Sequence, residues 1–210
     1  KKGDSVLAVS YGTTNAVRGV IVVDRKEFAG PWEYLLDNAI FTAPAIDRFS
    51  GAALINSDGH LVGIGYLYSQ IKIADQLVVP TNMFVPIDEL KPILSDMKLT
   101  GRSKLPPRPR LGVRTKELYG RLIVERVVSG SPAEKAGIKS GDIILAVNKQ
   151  DVHGMADFYR KVWALGKGGV DVPLRILQGI QIRDIVVHST ARSQYEPPVQ
   201  KEKQTGVELL

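Results

Sequence analysis

The residues best placed to do chemistry lie between positions 50 and 65, SGAALINSDGHLVGIG. Ser50 sits at a small-residue turn, an apolar strand runs from Ala53 to Ile55, and Asn56-Ser57-Asp58-Gly59 forms a second turn before another strand. A serine held at a strained turn is a candidate nucleophile, but at neutral pH its hydroxyl needs a general base to become one. The chain offers three histidines, His60, His153 and His188. His60 falls within a hairpin's reach of the serine's own strand, at a kind of position that is commonly solvent-facing or satisfied. His153 follows a strand-turn and His188 ends the final strand. No pair has metal-ligand spacing, so neither a metal site nor another cofactor is expected. With no cysteine in the chain, disulfides, thiolate metal sites and a cysteine nucleophile are excluded.

The elements that must position these groups fall into two halves. Gly101 to Arg110, GRSKLPPRPR, breaks the chain, because Pro106, Pro107 and Pro109 cannot donate to a ladder and favour extended backbone. Upstream, strand patterns cover Val6 to Ser10, Ala16 to Val23, Asn38 to Thr42, Ala53 to Asn56, His60 to Tyr66 and Gln76 to Val79. Turns such as Gly12-Thr13-Thr14-Asn15 separate them, and the close spacing predicts a barrel or sandwich. One helix is expected to close this half, with Pro86 in its first turn, a stripe of Ile87, Leu90, Ile93 and Leu94, and Gly101 just beyond its end. Downstream, strands at Leu111 to Val113, Leu122 to Val128 and Ile143 to Asn148 alternate with a capped helix at Ser131-Pro132 and an amphipathic one at Met155 to Leu165. A hairpin, Asp171 to Leu177 and Gln181 to His188, follows, and the polar segment from Arg192 to Leu210 is expected to be mobile.

Composition constrains the rest. At 44% hydrophobic and 24% charged residues the chain reads as an ordinary globular one, and no apolar run approaches a membrane span. Lys1-Lys2-Gly3-Asp4 runs straight into a strand, which reads as a fragment or processed product. Of the net +6 charge, much falls on Lys98, Arg102, Lys104, Arg108, Arg110, Arg114 and Lys116. A nucleic-acid or acidic-lipid patch is one reading of that run. A solvated interdomain linker is favoured, because no aromatics are interleaved to stack on bases, and no nucleic-acid partner is expected.

The string VVSGSPAEKAGIKSGDIILAVNKQDV, residues 127 to 152, resembles a PDZ domain of the bacterial protease-associated type. The resemblance implies that a loop at Arg110, Leu111, Gly112 and Val113 holds a peptide's terminal carboxylate with successive backbone N–H groups. Physical chemistry points the same way: a glycine admits close approach, and a nest of N–H donors binds an anion without a side chain. The ligand would add as a strand beside Leu111 to Arg114, its last apolar side chain between that strand and the helix carrying Phe158 and Val162. Those two residues suit core packing, groove contact or both, and Arg110 either assists the carboxylate or is solvated.

Followed by such a module, the first half resembles the C-terminal barrel of an HtrA/DegP-type, trypsin-like serine protease. IFTAPAIDRFSGAALINSDGHLVGIG is similar to that family's nucleophile region, and VVPTNM, residues 78 to 83, to the segment that closes its barrel. The implied fold is mainly β: a trypsin-like second barrel over 1–100, a linker over 101–109, an α+β PDZ domain over 110–192 and a flexible tail over 193–210. By position the resemblance makes Ser50 the nucleophile. Arg48-Phe49 stand where the family has Gly-Asn, and Ala52 stands for the second glycine after the serine. The family's oxyanion hole needs a glycine two places before the serine, in a conformation that a side chain disfavours. The front barrel that supplies the family's His and Asp is not in this sequence, so the chain alone is expected not to hydrolyse peptides. The resemblance further implies peptide or unfolded-protein C-termini as partners, a homo-oligomer, and a periplasmic or envelope location with a role in protein quality control. A non-catalytic peptide-binding scaffold is the alternative. The terminal Gly206-Val207-Glu208-Leu209-Leu210 has the makings of a PDZ ligand for a neighbouring molecule.

Overall fold

The computed structural model describes residues 1–12, 16–74 and 77–191. The tail expected to be mobile, the Gly206 to Leu210 ligand, the Thr13-Thr14-Asn15 part of the first turn and the Gln76 end of one strand lie outside these residues.

Six strands build the first half: β1 (Ser5–Val9), β2 (Val17–Gly30), β3 (Tyr34–Ala43), β4 (Ala53–Ile55), β5 (Leu61–Ala74) and β6 (Leu77–Pro86). They close into a barrel in the order β1-β2-β3-β6-β5-β4, each neighbouring pair antiparallel. Alternation places Val6 and Ala8 of β1 and Val20 and Val22 of β2 in one core cluster with Ile40, Ala52, Leu54 and Phe84. A second cluster, Leu36, Ala39, Phe41, Ile71 and Met83, packs on the other face of β3. Burial on both faces explains the apolar run Ala39-Ile40-Phe41 within β3. β2 and β3 outrun the predicted strands and form a long hairpin whose tip is Pro31-Trp32-Glu33.

The single closing helix is corrected by the structure. Ile87–Glu89 and Lys91–Ile93 are separate 3₁₀ turns, and only α1 (Leu94–Thr100) is α-helical. Pro92 opens the second turn, and without an N–H it cannot continue an α-helix through this point. None of the apolar stripe is buried, and Gly101 ends α1 with φ +70°.

The second half is a sheet in the order β13-β12-β10-β9-β8, from β8 (Val113–Leu118), β9 (Arg121–Val127), β10 (Ile143–Val147), β12 (Asp171–Gln178) and β13 (Gln181–His188). β11 (Gln150–Asp151) pairs with β10, while β7 (Pro109–Arg110) pairs with β14 (Thr190–Ala191) and ties the end of the proline segment to the domain's last strand. The short α2 (Pro132–Lys135) is capped at its start: Ser131 Oγ accepts from the Glu134 N–H, and the Glu134 carboxylate accepts from the Gly130 N–H just before the cap. The longer α3 (Met155–Ala164) buries Met155, Phe158, Tyr159 and Val162. The core joins both helices to the sheet and is lined on one side by Ala29 and Leu35, which belong to the barrel hairpin.

Candidate functional site

Ser50 is exposed and occupies a tight turn in which the Ala52 N–H donates to Phe49 O at 2.9 Å and Gly51 takes φ +75°. The Gly51 N–H donates to Gly65 O at 2.8 Å, pinning the turn to β5. Gly65 is required there, because a Cβ would lie 1.8 Å from Phe49 O. The preceding loop is held by Asn82, fully buried on β6, whose amide accepts from the Ile46 N–H at 2.6 Å and donates to Ile46 O at 3.2 Å. Sequence reasoning missed Asn82, although a lone Asn inside an apolar strand was a signal for it.

Among the described residues, no histidine stands beside Ser50 as a general base. His60 is exposed and follows the far end of β4, so the length of that strand, on the order of 10 Å, lies between it and the serine turn. His153 and His188 belong to the other half, where His188 forms a cross-strand pair with Asp171 at 2.8 Å. Arg48 is not among the non-glycine residues with positive φ. Its guanidinium instead donates to Tyr11 O at 3.2 Å and lies across the Tyr11 ring. Among the described residues, no three His, Cys, Asp or Glu side chains come together as a metal site, and no helix is long and apolar enough to cross a membrane.

The second site is the loop at Arg110 to Val113. Gly112 has φ +82°, and a Cβ on it would meet the Ser131 Cβ at 2.3 Å, so only glycine fits. The loop's carbonyls are turned away and engaged: Leu111 O accepts from the Ala133 N–H and Gly112 O from the Val128 N–H, both at 2.9 Å. The Leu111 and Gly112 N–H groups therefore converge on the opposite side, and a carboxylate oxygen lies 2.7 Å from the first and 3.2 Å from the second. Leu111, Val113, Phe158 and Val162 are all buried in the domain core. The α3 residue that reaches the barrel hairpin is Tyr159. Its hydroxyl donates to Gly30 O at 2.8 Å and accepts from the Glu33 N–H at 3.2 Å, and burial pushes its pKa up to about 12. Trp163 stacks on Tyr159 and carries the Arg108 guanidinium 4.1 Å from its ring. The basic run is thus largely engaged with partners: Arg108 on Trp163, Arg110 with Glu33 at 3.7 Å, Lys104 with Asp96 at 3.3 Å and Arg114 with Glu125 at 2.9 Å.

A closed barrel with a serine turn, joined to a sheet with a carboxylate loop beside a helix, defines a trypsin-fold barrel coupled to a PDZ domain. The PDZ domain family matches residues 109–188. The chain is 35% identical over 156 residues to the serine endoprotease DegS of Haemophilus influenzae, covering 71% of this chain and 44% of that protein. It is 31% identical over 145 residues to the periplasmic serine endoprotease DegP of Escherichia coli, covering 63% of this chain and 29% of DegP. The solved HtrA-type protease AlgW with decapeptide superposes with a TM-score of 0.59 at 21% identity, over 94% of this chain and 62% of that one, a likeness of fold. The chain therefore has the HtrA-like architecture, a mainly β trypsin-like barrel followed by a PDZ domain, and spans less than half the length of the curated relatives it matches.

Proposed function

We propose that this chain is the rear-barrel and peptide-recognition portion of an HtrA-like serine endopeptidase of the cell envelope, acting in protein quality control. In this reading the PDZ domain binds the C-termini of peptides or unfolded proteins through the amides of the Arg110–Val113 loop. Phe158 and Val162 support the groove from beneath. The observation that carries the reading is the pair of N–H groups at Leu111 and Gly112 converging on one carboxylate at 2.7 and 3.2 Å. Two such donors with no competing carbonyl form an anion nest that recognises a carboxylate by geometry. The periplasmic name of the DegP relative supports the location. Leu7, Val17 and Ile21, exposed on the outer faces of β1 and β2, offer apolar surface for the homo-oligomer that belongs to the proposal.

Ser50 is the nucleophile of the complete enzyme in this reading, and residues 1–210 alone do not hydrolyse peptides, because an unassisted hydroxyl at an exposed turn stays an alcohol. Incubation of the purified chain with unfolded casein should leave the substrate intact. Cleavage that disappears in Ser50→Ala would overturn this part. A second reading, a non-catalytic scaffold that keeps the barrel, is favoured by one observation: Arg48 holds the oxyanion-donor position without the left-handed backbone of a glycine. Labelling of Ser50 by a serine-directed phosphonate in the full-length protein decides between the two.

A further inference from the structure

The carboxylate in the PDZ nest comes from the chain itself. It is the side chain of Glu33, at the tip of the β2–β3 hairpin, with Oε1 accepting from Leu111 and Oε2 from Gly112. Glu33 is 6% exposed and holds φ +60°, a conformation that side-chain-bearing residues disfavour. A buried carboxylate persists only where donors replace its water, and two amides and the nearby Arg110 guanidinium do so here. One backbone contact beside the carboxylate follows the pattern of an added strand. Pro31, two residues before Glu33, accepts through its carbonyl from the Thr115 N–H at 3.2 Å. The hairpin tip thus runs against β8 in the opposite direction, as a strand added to a sheet edge would. Tyr159 clamps Gly30 O and the Glu33 N–H from the α3 side, Ala29 and Leu35 pack on the domain core, and Arg160 of α3 pairs with Glu27 and Asp37 on the two arms of the hairpin. Only about 30 Å³ of open space remains between Glu33, Tyr34, Arg108, Arg110 and Trp163.

Resting on the peptide-binding reading above, we infer that Pro31-Trp32-Glu33 is a built-in ligand of the PDZ groove, its side-chain carboxylate standing in for a peptide's terminal carboxylate, so that an external C-terminus binds only by displacing it. A tethered ligand acts at an effective concentration in the millimolar range, and apparent affinity for a competitor falls in proportion to the fraction of grooves left open. The groove therefore selects peptides with a free terminal carboxylate and excludes weak ones.

The test uses the full chain and Glu33→Gln, which keeps the side chain's shape and removes its charge. One probe is a fluorescein-labelled decapeptide pool, randomised at its last four positions and ending in a free carboxylate; the other is the same pool amidated. Amide hydrogen exchange at Leu111 and Gly112 is followed in parallel without peptide. Glu33→Gln is expected to bind the free-carboxylate pool about 10-fold more tightly than the parent chain, with neither protein taking the amidated pool and both amides exchanging faster in the variant. Equal affinities overturn the built-in ligand and leave the peptide-binding reading standing. If neither protein binds but the two amides exchange faster in Glu33→Gln, Glu33 is the groove's ligand and recognition of external peptides falls. Unchanged exchange without binding sinks both.

Discussion

Two loops in this molecule precede a strand in a way that could present amides to an oxygen anion, and they are built to opposite ends. The loop before β8 turns both its carbonyls into hydrogen bonds with Val128 and Ala133 and converges its N–H groups on a buried carboxylate. The turn before β4 spends the Gly51 and Ala52 amides on Gly65 and Phe49, leaves Ser50 exposed, and has an arginine where a left-handed glycine would aim a donor. An anion site is therefore a matter of where the carbonyls go. A glycine permits the turn, and partners for the opposite backbone edge make it a receptor.

Breaking either region should leave the other standing. The largest effect is expected from Phe158→Ala, which empties a fully buried ring position in the PDZ core and should cost about 3–5 kcal/mol. Urea unfolding followed by tryptophan fluorescence should show the loss in the transition reported by Trp163. Gly65→Ala attacks the other loop. Its Cβ would collide with Phe49 O, so the serine turn must move at a cost of about 1–3 kcal/mol. Amide exchange at Leu111 and Gly112 should not change.

Tyr159→Phe sharpens the comparison at the joint between the regions. Losing the hydroxyl leaves Gly30 O and the Glu33 N–H without their partner, for about 1–3 kcal/mol. The pH dependence carries a sign. Burial raises the phenol from its ordinary 10.0 to about 12, so its contribution is complete below pH 10 and lost as pH rises through 12. The parent chain should lose stability over that window, and Tyr159→Phe should lose less. Arg160→Ala is the mildest change, because its bridges to Glu27 and Asp37 are solvent-exposed; added salt should erase the difference from the parent chain in urea unfolding.

Much of the barrel was legible because closed-sheet strands alternate, as Val6, Ala8, Val20 and Val22 do. The PDZ half was legible because its capped helix and glycine turns are local signals. The closing helix misled: Ile87, Leu90, Ile93 and Leu94 have helical spacing, but Pro92 interrupts it, and no neighbouring element buries the stripe. On α3, Phe158 and Val162 stood out for their apolar character, whereas Tyr159, whose hydroxyl joins Gly30 O and the Glu33 N–H, has no periodic signature of that contact.

What the sequence determined by itself was the pair of modules, the serine at its turn and the glycine that lets a backbone nest form, since each depends on neighbours within a few residues. The occupant of that nest came from long-range packing instead. Glu33 lies 78 residues before Leu111, and a glutamate at the tip of a hairpin reads as a solvated charge. Its burial follows from a long-range match between a hairpin of one domain and a sheet edge of the other, where two amides replace the water that the carboxylate gives up.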